Sequence, residues 1–102
     1  MIEYEVAVPP DVDLSAAADL VAGCCCEEGL VISLDGPLRS YTGSRYMHFR
    51  RAGQHKEKGT LEATVWPDAG RIWLKVPSAR AATWTEATAE RVSACIENSL
   101  AL

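Results

Sequence analysis

Two stretches in the second half of the chain alternate strictly between apolar and polar residues. They cover residues 60–66 and 71–76, and four turn-forming residues separate them. Side chains along a β-strand point alternately to its two faces, so the alternation predicts an antiparallel hairpin with one buried face. The predicted core face carries Leu61, Ala63, Val65, Ile72, Leu74 and Val76. The predicted outer face carries two tryptophans among mostly polar residues: Thr60, Glu62, Thr64, Trp66, Arg71, Trp73 and Lys75.

Five further elements are predicted in the rest of the chain. Apolar residues two positions apart indicate strands at 2–8, 30–34 and 45–51. Apolar residues three and four positions apart indicate helices at 14–25 and from 83 to the C-terminus. Thr83 and Glu86 have the spacing of a capping box at the start of the second helix. In the second strand the apolar residues Leu30, Ile32 and Leu34 are expected to share one face.

The order β-α-β-β-β-β-α predicts an α+β fold of two layers. A five-stranded, mostly antiparallel sheet is covered on one face by both helices, and residues 1–102 form a single domain. We place the first strand beside the fifth rather than the second. The glutamates at positions 3 and 5 would then oppose basic residues of the fifth strand. Within the hairpin the expected cross-strand pairs are Trp66–Arg71, Thr64–Trp73 and Glu62–Lys75.

The uncovered outer face of this sheet is the predicted binding surface. If Met47 and Phe49 point into the core, alternate residues of the third strand join that face; the opposite phase stays open, because both faces of the strand contain aromatic residues. Trp, Tyr and Arg are enriched where proteins bind partners. We therefore predict a small non-enzymatic binding domain that forms a homodimer and takes a protein or small-molecule partner. The predicted site residues are Tyr46, His48, Arg50, Trp66, Arg71, Trp73 and Lys75.

A basic segment at residues 39–58 favours an alternative function, nucleic-acid binding. Basic and aromatic side chains together can contact phosphates and stack on bases. The chain as a whole is acidic, with a net charge of −4 and eight carboxylates within residues 1–38, which disfavours this function. The basic residues of the segment are Arg39, Arg45, Arg50, Arg51, Lys56 and Lys58.

A small enzyme that uses His48 is the other alternative. Tyr46 and Arg50 lie two positions away and share its face of the predicted strand. A neutral imidazole beside a phenol has the chemistry of a general base. The sequence contains no familiar catalytic, phosphate-binding or dinucleotide-binding motif, and we expect no cofactor.

Three of the four cysteines, Cys24, Cys25 and Cys26, are consecutive. Paired zinc ligands typically have two to four residues between them, so we expect no metal site. We predict that these cysteines are plain apolar side chains and that at least one packs against Cys95 beneath the sheet. A redox or metal role shared with Cys95 is the alternative.

The beginning of the chain and its apolar content bear on location. The first residues are acidic where a secretory signal peptide would be basic. No apolar run approaches the roughly 20 residues that cross a membrane. The sequence therefore predicts a cytoplasmic protein without a membrane partner.

Overall fold

The computed structural model describes residues 2–51, 59–77 and 83–101 and contains the predicted elements in the predicted order. The strands are β1 (Ile2–Val6), β2 (Leu30–Gly36), β3 (Arg45–Arg51), β4 (Leu61–Trp66) and β5 (Arg71–Val76). The helices are α1 (Ala17–Glu27) and α2 (Thr83–Leu100). The predicted α+β class is confirmed. The side chain of Thr83, at the expected capping box, and the basic residues Lys56 and Lys58 lie outside the described residues.

The strands form one antiparallel sheet in the order β1-β5-β4-β3-β2. β1 lies beside β5, as the charge pattern predicts, and Glu3 faces Lys75, whereas Glu5 faces Trp73 and forms its salt bridge with Arg71. The hairpin of β4 and β5 has the predicted register, in which Thr64 faces Trp73. Gly70 closes its turn with φ 63°, a left-handed conformation that glycine adopts without steric cost. Local alternation and turn chemistry therefore determine this register.

Both helices pack on one face of the sheet. Met47 and Phe49 are at most 1% exposed and belong to the core, which resolves the phase of β3. The alternate residues of β3 consequently lie on the outer face, as expected for Tyr46, His48 and Arg50. The fully buried residues of the two helices include Val21, Val92 and Ile96. No helix formed by the described residues is long and apolar enough to cross a membrane.

An irregularity in β2 changes which of its side chains face the core. Ile32 pairs with Phe49, but the next paired residue, Leu34, faces His48, so Ser33 is an extra residue in β2. A β-bulge of this kind reverses the side-chain alternation beyond it. Leu34 therefore lies on the outer face and is 56% exposed. The expectation of a single apolar face on β2 is wrong for this reason.

A disulfide joins the two helices. Cys24 of α1 is bonded to Cys95 of α2, with 5.9 Å between the two Cα atoms. The prediction that one of the consecutive cysteines packs against Cys95 is confirmed. The prediction that the two cysteines in this contact are plain apolar side chains is wrong, because Cys24 and Cys95 are bonded to each other. The two helices cover the same face of the sheet, and their contact brings these two sulfur atoms within bonding distance. The sequence pattern alone does not show which cysteines meet in this way.

The other two cysteines are free thiols in different surroundings. Cys25 is fully buried, and this burial, with smaller contributions from Cys26 and Glu28, raises the pKa of its thiol to about 12. Cys25 is therefore protonated at neutral pH and unreactive, because the thiolate is the reactive form. Cys26 is exposed to solvent.

Candidate functional site

Side chains on the outer face of the sheet form rows that run across the strands. Neighbours in a row are cross-strand partners with Cβ atoms about 5 Å apart. One row, which we call the charged row, consists of Glu3, Lys75, Glu62, His48 and Leu34. The next row, which we call the aromatic row, consists of Glu5, Trp73, Thr64, Tyr46 and Gly36. The two rows lie about 7 Å apart, because on each strand their members are two residues apart.

Residues 37–44, between β2 and β3, form a compact loop that we call the outer loop. Ser44 holds it closed, since its backbone N–H donates to the Tyr41 carbonyl (3.0 Å). The Ser44 hydroxyl accepts a hydrogen bond from the Leu38 N–H (3.2 Å). Gly43 takes φ 81°, in the left-handed region that favours glycine. These contacts make the loop a packed unit rather than an extended connection.

The outer loop packs onto both tryptophans of the outer face. The ring centroid of Tyr41 lies 4.7 Å from that of Trp66 and 5.4 Å from that of Trp73. The indole N–H of Trp66 donates to the Thr42 carbonyl (3.0 Å). As a result Trp73 is only 6% exposed and Trp66 is half-buried. The tryptophans point outward as predicted, but the expectation of an open face there is wrong, because the loop covers them.

Arg71 makes a further contact with Trp73 on the outer face. Its guanidinium lies over the Trp73 ring, 4.5 Å from the centroid. It also forms a salt bridge with Glu5, with 2.5 Å between Nη2 and Oε1. The hydrogen bond to Glu5 raises the pKa of Arg71 above its ordinary value. Arg71 is thus already engaged by neighbouring side chains.

A cleft of about 230 Å³ opens between the outer loop and the rest of the outer face. Its walls combine aromatic rings with one carboxylate and one ammonium group. Thr64, which is 3% exposed, forms its floor between two aromatic neighbours of the aromatic row. The lining residues are Leu38, Tyr41, Tyr46, Glu62, Thr64, Trp73 and Lys75.

The predicted site residues divide into three groups. Tyr46, Trp73 and Lys75 line the cleft. The other two residues of the hairpin, Trp66 and Arg71, hold the outer loop and the Trp73 ring. The remaining two β3 residues, His48 and Arg50, lie on the outer face beyond the cleft lining.

Four lining residues were not among the predicted ones. Glu62 and Thr64 belong to the outward set of the alternating pattern and could have been included on that signal. Leu38 and Tyr41 belong to the outer loop, whose residues show no periodicity, so no local signal identifies them.

His48 is half-buried, and its ring stacks on that of Tyr46 with 6.4 Å between centroids. Glu62 faces it across the sheet in the backbone register. No hydrogen bond joins the His48 ring to a carboxylate among residues 2–51, 59–77 and 83–101. Among the residues that the structure describes, the ring contact of His48 is therefore with Tyr46 rather than with a carboxylate.

Those basic residues of segment 39–58 that the structure describes make contacts in different places. Arg45 is paired with Asp35, with 2.7 Å between Nη2 and Oδ2, and this hydrogen bonding lowers the pKa of Asp35. Arg51 lies over the Trp84 ring of α2, 5.8 Å from its centroid, whereas Arg50 points to the outer face. The described part of the segment does not form one continuous cationic surface.

Neither a metal site nor similarity to a known protein narrows the choice of function further. In the described part of the chain, no group of three or more His, Cys, Asp or Glu side chains could hold a metal ion. Comparisons with protein-family models, curated proteins and solved structures find no match to this chain.

Proposed function

We propose that this chain is a non-enzymatic binding domain that holds a small molecule in the cleft of its outer sheet face. The observation that carries the proposal is the outer loop, which stands on the aromatic row and leaves a walled cleft beside it. Clefts with aromatic walls and a few polar groups are typical ligand sites. The volume of about 230 Å³ is below the roughly 300–1,000 Å³ of drug-sized sites, so the ligand is about the size of one ring with substituents.

The rigidity of the cleft supports the same proposal. Trp73 contacts both the Tyr41 ring and the Arg71 guanidinium, and Thr64 is buried in the middle of the sheet. Side chains that are already ordered lose little conformational entropy when a ligand binds. The wall therefore does not have to be assembled at the moment of binding.

Binding can be tested with a panel of neutral, cationic and anionic single-ring compounds followed by ¹⁵N–¹H NMR. We expect some of them to shift the backbone resonances of Thr64, Tyr46 and Trp73. Thr64→Leu should abolish these shifts, because the larger side chain fills the floor of the cleft. Thr64→Val is the matched control, since it keeps the side-chain shape, and it should retain them. A panel that leaves the cleft resonances unmoved, or a Thr64→Leu protein that binds as the wild type does, contradicts the proposal.

Self-association is a second candidate, and the exposed apolar residues of β2 favour it. Val31, Ile32 and Leu34 are 38%, 44% and 56% exposed and follow one another along an edge strand. Bulges interfere with the addition of another strand at an edge. We therefore propose that a second copy contacts the side chains of Val31 and Leu34 on the outer face, rather than the tryptophans as the sequence suggested.

Leu34→Ser tests this contact by sedimentation velocity. The variant should shift the wild-type species toward monomer, because an exposed apolar side chain at an interface centre is replaced by a polar one. Ile2→Ser is the matched control, since Ile2 is 37% exposed on the opposite edge strand, β1. A wild-type protein that sediments as a monomer at high concentration removes this candidate.

The cytoplasm remains the proposed location on the basis of the sequence, and the Cys24–Cys95 disulfide weighs against it. Disulfides persist in oxidising compartments and are rare in the cytosol. The expectation of no cofactor stays a prediction, and nucleic-acid binding through segment 39–58 and a small enzyme that uses His48 stay the less favoured alternatives.

A further inference from the structure

Building on the proposed function, we infer that the cleft binds a small zwitterion with one planar apolar group, of which a free aromatic amino acid is the simplest example. The observation behind this is that the charged row and the aromatic row contribute to the same cleft. One row supplies two opposite charges, and the other supplies flat apolar surface. A ligand that satisfies both must carry both kinds of group.

The charged side of the cleft contains one cation and one anion. Lys75 and Glu62 are direct cross-strand partners on β5 and β4, and both line the cleft. Within residues 2–51, 59–77 and 83–101, no salt bridge occupies either of them. Their charges sum to zero, so a ligand with a single charge would leave the other side chain uncompensated in a partly enclosed site. A ligand carboxylate beside Lys75 and a ligand ammonium beside Glu62 satisfy both.

The apolar side of the cleft consists of rings. Trp73 and Tyr41 of the outer loop form one wall, where their rings are in edge-to-face contact, and the Arg71 guanidinium lies over the Trp73 ring. Tyr46 lines the side toward β3. Aromatic rings prefer offset-stacked or edge-to-face contacts, which three rings around a narrow cleft can offer to a fourth.

The dimensions fit one amino acid. The cleft volume of about 230 Å³ limits the ligand to about one ring with substituents, which is the size class of an aromatic amino acid. A residue within a peptide chain lacks both charges, and a residue at either end of a peptide lacks one of them. The site chemistry therefore favours a free amino acid over a peptide.

Four analogues test this assignment by NMR titration: L-phenylalanine, L-phenylalaninamide, N-acetyl-L-phenylalanine and N-acetyl-L-phenylalaninamide. The free amino acid should bind about tenfold more tightly than either singly blocked analogue, because each block removes a charge-assisted hydrogen bond. Lys75→Gln should abolish the preference for the free carboxylate alone. Glu62→Gln should abolish the preference for the free ammonium alone. Glu3→Gln is the matched control, since Glu3 faces Lys75 from β1 but does not line the cleft, and it should retain both preferences.

Three outcomes overturn the assignment of a zwitterion. If the doubly blocked analogue shifts the cleft resonances with the same affinity as the free amino acid, the cleft is a binding site whose affinity does not depend on the charges of the ligand. Only the assigned ligand class is then wrong. If none of the four analogues shifts these resonances while other single-ring compounds do, the ligand class is again wrong and the proposed function stands. If neither the analogues nor the single-ring panel shifts them, both proposals fail.

Discussion

Removal of the Cys24–Cys95 disulfide will lower the free energy of unfolding by about 4 kcal/mol. The bond closes a segment with a sequence separation of 71 residues, and the chain-entropy model assigns about 4 kcal/mol to a loop of this length. Total stabilities of small domains are only about 5–15 kcal/mol, so this is a large share. The melting temperature should fall by roughly 15–30 °C.

Thermal unfolding of a Cys24→Ala/Cys95→Ala variant, with and without reductant, measures this effect. The wild type in reductant should melt near the temperature of the variant, and the variant itself should not respond to reductant. Cys26→Ala is the matched control, because this exposed thiol takes no part in the bond, and it should melt as the wild type does. Thiol counting by mass spectrometry should find two free cysteines before reduction and four after it. Four free thiols in the native, unreduced protein would disprove the disulfide.

Trp73→Ala will destabilise the protein by about 3–5 kcal/mol, the usual range when a buried large aromatic residue is truncated. Trp73 is 6% exposed, and it contacts both the Tyr41 ring and the Arg71 guanidinium. Its removal leaves a cavity beneath the outer loop and removes the surface on which Tyr41 packs. Denaturant unfolding monitored by circular dichroism gives the change in free energy.

Trp73→Phe is the matched control for this substitution. It keeps a ring against Tyr41 and should lose clearly less stability than Trp73→Ala does. Neither variant should change the oligomeric state, because Trp73 faces the outer loop of its own chain. A Trp73→Ala protein with wild-type stability and altered sedimentation would show that Trp73 belongs to an intermolecular interface instead.

Much of the fold could be predicted from the sequence because strand alternation is local. The registers of Thr64 with Trp73 and of Glu3 with Lys75 follow from residue spacing and from the pairing of opposite charges. The bulge at Ser33 could not be predicted, since Leu30, Ile32 and Leu34 have the same spacing whether or not a residue is extra. Its consequence, the exposure of Leu34, becomes apparent only when the pairing of β2 with β3 is known.

The candidate site was only partly predictable for a related reason. Outward residues of β3, β4 and β5 can be read from alternation, and three of the predicted ones line the cleft. Tyr41 cannot be identified from alternation, because its contact with Trp66 joins positions far apart in sequence and depends on the packing of a loop. The same holds for the disulfide, because Cys24, Cys25 and Cys26 are equivalent until the neighbouring helix is placed.

The position of the Tyr41 ring tests the central claim, that the outer loop turns an open sheet face into a cleft. The chain has three tyrosines and three tryptophans, so their ring protons can be assigned individually by NMR. With ring centroids 4.7 and 5.4 Å apart, the Tyr41 ring should give nuclear Overhauser effects to the indole protons of both Trp66 and Trp73 in the ligand-free protein. Effects from Tyr41 only to its sequence neighbours, with none to either indole, would contradict the account.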